Sequence, residues 1–235
     1  MENFMEWCSL VIKSVFNTIW RNIEGIFQSW SVFSDVLTAF GTLVLVILAL
    51  IGFNAWKQQI SMQRKATFID ELLHTIYEYI DAMGGPVQSV RFIKYGFEAY
   101  SDTEKLRQNN NKHAGIITYI KKNGENDSKR LFERLRNVRP FKSRLHFLII
   151  KGGLFKFEDY STCATACRSL TSSYDQIEAL AAMISSPLMN WENPKVKEML
   201  DKLALLDALN IENNLSTNLE ILIKFIESIY GKLFK

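Results

Sequence analysis

Val36–Trp56 reads VLTAFGTLVLVILALIGFNAW, 21 residues without a charge and with nothing more polar than threonine and one asparagine. At 1.5 Å per residue this is about 31 Å of helix, the thickness of a bilayer's hydrocarbon core. A helix buried in a water-soluble protein normally keeps a polar stripe, and this segment has none. The stretch also differs from a signal peptide, whose shorter apolar core sits close to the N-terminus behind basic residues. Here 35 residues precede it and the nearest charge before it is Asp35. A retained transmembrane helix is expected. Lys57, Arg64 and Lys65 follow it, whereas residues 1–35 carry two basic and four acidic groups. The positive-inside rule therefore predicts a cytoplasmic C-terminal part and a single pass through an inner (plasma) membrane. Trp30 and Trp56 bracket the span as interfacial aromatics do.

Upstream, Phe4, Trp7, Val11, Val15, Ile19, Ile23, Phe27 and Trp30 recur at three- and four-residue steps, with Glu6, Lys13, Arg21 and Glu24 on the other side. The pattern predicts an amphipathic helix over 1–35 that lies in the membrane interface. Two alternatives stay open: a short first span, which would make a two-pass hairpin, or a helix packed on the soluble domain. Lys13 and Arg21 would be costly at mid-depth in a span.

Residues 57–235 are expected to form one cytoplasmic helical domain, so the chain as a whole is predicted to be all-α. Only four prolines occur in 235 residues, and leucine, isoleucine, lysine and glutamate abound. Helices are predicted over 54–83, ended by Gly84-Gly85-Pro86, and over 87–99, 114–122, 128–150, 160–185, 194–210 and 217–233. Phe141–Ile150 also fits a short strand, and residues 100–113 and 123–128 are expected to be polar loops. Asn193 and Pro194 have the grammar of a helix start, and Thr217 and Glu220 the spacing of a capping box.

Charge is unevenly spread. Residues 105–151 hold 13 basic and 3 acidic side chains, although the whole chain is only +3. The candidate patch comprises Lys121, Lys122, Lys129, Arg130, Arg134, Arg136, Arg139, Lys142 and Arg144. It would bind anionic lipid, or nucleic acid with Tyr119, Phe132 and Phe141 available for stacking, or it is simply a solvated face balanced by acidic regions elsewhere.

Signals for chemistry are weak. Glu71 and His74 form one E-x-x-H pair with Glu78 a turn further on, but a di-metal bundle site needs two such pairs and two more carboxylates. His113 falls in a polar loop, and His146 in an apolar run that predicts a core histidine. Cys163 and Cys167 are four apart, as on one helix face, which points to buried free thiols. Gly152-Gly153 reads as a helix-ending turn, because no P-loop lysine or hydroxyl follows. No metal or cofactor is expected, and no enzymatic activity.

The layout combines an aromatic N-terminal helix (Phe4, Trp7, Trp20, Trp30), the Val36–Trp56 span and a helical domain without a catalytic motif. It resembles the small membrane-anchored effectors of bacterial anti-phage defence systems, including those paired with retrons. The resemblance implies a protein that permeabilises or depolarises the inner membrane when released or oligomerised. It also implies a regulatory protein or ribonucleoprotein partner for the cytoplasmic part. The rival reading is a harmless membrane tether or scaffold for a protein or nucleic-acid partner.

Overall fold

The computed structural model describes residues 12–16, 18–19, 30–106 and 113–233. The fold is all-α, and no strand occurs among the described residues. Residues 12–16 and 18–19 are helical. Five longer helices follow: α1 (Trp30–Leu106), α2 (Ala114–Gly153), α3 (Tyr160–Ile184), α4 (Pro194–Ala204) and α5 (Ala208–Leu233). The chain divides into two compact units, Met1–Ser61 and Met62–Lys235.

In the first unit, the α1 residues from Val36 to Trp56 are exposed throughout except Ile47, which is half-buried. Leu45 is 68% exposed and Leu37 62%. This is the one stretch of described helix long and apolar enough to cross a membrane, and none of its central window is buried in protein.

The second unit is a helical bundle. From Phe68 onward α1 buries Ile69, Leu72, Ile76, Tyr79, Met83, Val87, Val90, Ile93 and Phe97. Steps of three and four along a helix put these on one face, which forms one wall of the core. α3 packs against α2, α4 and α5, and is accordingly buried on much of its circumference. The buried Tyr79 hydroxyl ties α1 to α3 by donating to the Leu170 carbonyl at 2.9 Å.

Several expectations are corrected. Gly84-Gly85-Pro86 does not end α1, which continues to Leu106 with Pro86 inside it. The local penalty of about 3 kcal/mol for proline, and about 1 for each glycine, is outweighed by burial of Met83, Val87 and Val90 on both sides of the triplet. The Arg134 guanidinium also reaches this turn, donating to the Gly85 carbonyl at 2.7 Å and to Ser89 Oγ at 2.9 Å.

Likewise 123–128 is not a loop, because α2 runs through it. Here Gly124 allows a close approach: a Cβ on it would lie 2.3 Å from the Ile184 carbonyl oxygen of α3. Asp127 is engaged by the Tyr119 hydroxyl, and Ser128 is buried with its hydroxyl donating to the Glu125 carbonyl at 2.8 Å. These polar residues are therefore satisfied within a helix. Phe141–Ile150 is helical, not a strand.

At the C-terminal end, the expected 194–210 helix stops at Ala204, and α5 begins at Ala208 instead of near Thr217. The Asp207 side chain accepts from the Leu209 amide at 3.4 Å, in the manner of an N-cap. Polar Asn214 and Asn218 are drawn into α5 because they bond Ser169 and Ser173 of α3. The Asn193–Pro194 start holds, with Asn193 Oδ1 accepting from the Lys195 amide at 2.9 Å. Gly152-Gly153 ends α2 as expected.

Candidate functional site

Of the proposed membrane-active face, Val15 and Ile19 are described: both lie on helical backbone and are 38% and 40% exposed. Trp30 is the first residue of α1. Phe4, Trp7, Val11, Ile23 and Phe27 lie outside the described residues, and with them the choice between an interfacial helix and a second span. At the far end of the apolar segment, Phe53 and Trp56 pair their rings at 6.0 Å. Trp56 is 57% exposed, as suits a side chain with an apolar body and a polar tip in a headgroup layer.

The basic stretch separates into two sets. Arg134, Lys142 and Arg144 serve the bundle. Arg134 binds the α1 turn described above; Lys142 is paired with Asp175 and lies 4.2 Å from the centre of the Tyr174 ring. Arg144 sits 3.6 Å from Glu71, which Lys151 also holds at 2.8 Å. The Lys151 hydrogen bond, helped by the Arg144 charge and opposed by partial burial, holds the Glu71 carboxyl below its ordinary range.

Lys121, Lys122, Lys129, Arg130, Arg136 and Arg139 form the second set and are exposed on α2. None of the six has a carboxylate partner among the described residues, though Lys122 lies 5.6 Å from the centre of the Tyr100 ring. Two exposed carboxylates, Glu125 and Glu133, share the outer side of the helix. Arg107 and Lys112 fall outside the described residues.

The three aromatics expected beside these cations part company. Tyr119 is 7% exposed, and its hydroxyl is engaged by Asp127, so it is a core residue. Burial and the Asp127 contact push its hydroxyl pKa up. Phe141 packs against the core. Phe132, 39% exposed, is the one left at the surface.

The weaker candidates resolve similarly. His74 Nε2 lies 3.3 Å from Glu78 Oε1 on an exposed helix face, whereas Glu71 turns to Lys151, so the E-x-x-H pair does not converge. His146 is exposed, which corrects its expected place in the core: it falls on the outer side of α2, beside the buried Leu145. His113 is mostly buried, 3.7 Å from Asp201. Cys163 and Cys167 are buried free thiols; the hydrogen bond between them, and then burial, push the Cys163 thiol pKa up. No group of three potential metal ligands occurs among the described residues.

Sequence reasoning missed two features. A shallow groove of about 270 Å³ runs beside α3, lined by Ser161, Thr162, Thr165, Ala166, Asn218 and Ile221. An aromatic cluster joins Phe68, Phe155, Phe157, Tyr160 and Phe225, with ring centres 5.2 to 6.3 Å apart. The groove draws on α3 and α5, which are distant in sequence, so no local pattern announces it. The run Leu154-Phe155-Lys156-Phe157 could have signalled the cluster.

Comparison with protein-family models, with curated proteins and with solved structures finds no match.

Proposed function

We propose that this chain is a bacterial inner-membrane effector that perturbs or depolarises the bilayer when triggered, as part of phage defence. In this reading Val36–Trp56 spans the membrane once and the helical domain lies in the cytoplasm. The observation that carries it is the uncovered apolar half of α1: some twenty residues of uncharged helix with no protein over them. Left in water, so large an apolar surface would drive aggregation, and a lipid environment removes that cost. Lys57, Arg64 and Lys65 on one side, and Asp35 on the other, support the orientation.

An anchor alone needs only the span. The chain adds an N-terminal segment patterned for the headgroup boundary, with Ile12 and Phe16 as exposed as Val15 and Ile19. Several such helices assembled together strain or breach a leaflet. Oligomerisation through residues 1–56 then does the damage, and the cytoplasmic domain, bound by a regulatory protein or ribonucleoprotein, sets when it happens. The six exposed α2 cations favour a second reading, in which the domain is a tether that positions an anionic partner.

The two readings separate on membrane potential. A voltage-sensitive dye is followed in bacteria that express the intact chain but lack its natural neighbours. A variant carrying Phe4→Ser, Trp7→Ser, Val11→Ser and Val15→Ser runs alongside. Depolarisation by the intact chain alone supports the effector. If the intact chain inserts and leaves the potential untouched, the tether reading replaces it.

A further inference from the structure

On the outer side of α2, Lys129, Phe132, Arg136, Arg139, Ser143, Phe147, Ile150 and the capping Leu154 follow one another at steps of three and four residues. At 100° per residue they fall within about 40° of a single line, and Phe132 to Leu154 covers about 33 Å. All are exposed, turned away from the core residues Leu131, Leu135 and Leu145. The line is graded. Its first half carries cations, and its second half is apolar, with Phe147 58%, Ile150 70% and Leu154 81% exposed. Between Lys129 and Leu154 no acidic residue lies on it; Glu133 is about 80° round the helix, and the exposed Glu125 stands one turn before Lys129, at the head of the line.

We propose that this graded line is a docking face for the anionic phospholipid leaflet, on which it lays the helical domain. Cations beside exposed aliphatic and aromatic side chains are the composition of a surface that meets headgroup phosphates and dips into the acyl boundary. A solvated face would not keep three large apolar side chains in water over successive turns. Phe132 and Phe147 could each stack a base, but the two most exposed apolar side chains of the line, Ile150 and Leu154, have no π face on which a base could stack.

The apolar end has a fixed place within the bundle. Lys151 Nζ is 2.8 Å from Glu71, Phe155 packs tilted against Phe68 at 5.2 Å, and Phe157 stacks on it at 5.6 Å. The line therefore ends beside the first core turn of α1. This inference rests on the membrane anchoring of Val36–Trp56, though not on any damage to the bilayer.

The test uses the full chain reconstituted into vesicles of phosphatidylcholine alone, or with about a third phosphatidylglycerol. An environment-sensitive dye is attached at Ser143→Cys in a Cys8→Ser background, since Cys163 and Cys167 are buried. A control places the dye at Glu227→Cys, exposed on α5. Docking is read as a blue shift and as shielding from aqueous iodide at position 143, present with phosphatidylglycerol and weak without it, with position 227 unchanged. Adding Lys129→Gln and Arg136→Gln, two exposed side chains without ion-pair partners among the described residues, should lower the docked-to-free ratio about 30-fold. That figure takes about fivefold per cation near an anionic leaflet. Equal signals at 143 and 227, or no dependence on phosphatidylglycerol while the chain floats with both vesicles, overturns the docking face and leaves the anchor intact. A response at 143 to an added single-stranded oligonucleotide and not to phosphatidylglycerol reassigns the face to nucleic acid. Failure of the chain to float with either vesicle removes anchor and docking face together.

Discussion

Replacing Gly84 with alanine should stabilise the protein, although the triplet Gly84-Gly85-Pro86 looks like a helix stop. In the structure Gly84 lies inside α1, is exposed, and has no heavy atom within 4 Å of an added Cβ. Its φ is not positive. Alanine at a free interior helix position gains about 0.8–1.0 kcal/mol over glycine. For a unit of this size that raises the unfolding midpoint by about 2–4 °C. The contrast is Gly124→Ala in α2, where the new Cβ would stand 2.3 Å from the Ile184 carbonyl oxygen and 3.2 Å from Ile120 Cγ2. Overpacking there costs about 1–3 kcal/mol, which cancels or exceeds the same propensity gain, so the net change is about 0–2 kcal/mol of destabilisation. Thermal unfolding of the solubilised full chain, followed by helical circular dichroism, reads both. If Gly84 instead closed a helix in the left-handed conformation, alanine would cost about 1–2 kcal/mol. A lowered midpoint for Gly84→Ala would therefore refute the continuous α1.

Three further outcomes follow from the bundle. Tyr79→Phe removes the buried bond to the Leu170 carbonyl and should cost about 1 kcal/mol in a denaturant titration; no change would mean that α1 and α3 are not joined there. Glu71 is held below 4.5, chiefly by Lys151, so its contribution is present above 4.5 and is lost as pH falls through the lower folded value. Glu71→Gln should therefore lower stability at neutral pH and flatten the acid decline below about pH 5, near the carboxylate's ordinary range, and an unaltered acid profile would dismiss the ion pair. A reporter fused after Lys235 should behave as cytoplasmic, since Lys57, Arg64 and Lys65 follow the span; an external signal would reverse the orientation.

Much of this architecture was legible in the sequence because the signals were strong and local. The uncharged run Val36–Trp56, the Asn193-Pro194 helix start and the Gly152-Gly153 end each depend on a few adjacent residues. What failed depended on distant ones. Nothing near Gly84-Gly85-Pro86 says that Met83 and Val87 will be buried in a common core, and nothing near Gly124 says that Ile184 will pass beside it. Asn214, between the two helices expected there, reads as a loop residue until Ser169 and Ser173 arrive from α3. The basic stretch was visible as a count, but its division into bundle-bracing Arg134, Lys142 and Arg144 and outward Lys129 and Arg136 is set by which neighbours pack on each side. For the same reason His146, in its apolar run, passed for a core residue although it is exposed.

Lipid around the Val36–Trp56 part of α1 is tested most directly by alkaline extraction of membranes from cells expressing the full chain. The intact chain should stay with the membrane pellet. Leu45→Lys together with Leu48→Lys places two charges at mid-span, each costing about 2.5–3.5 kcal/mol of insertion free energy, and should move the chain to the soluble or aggregated fraction. Release of the intact chain by alkali, or full retention of the double-lysine variant, would contradict a membrane-spanning Val36–Trp56.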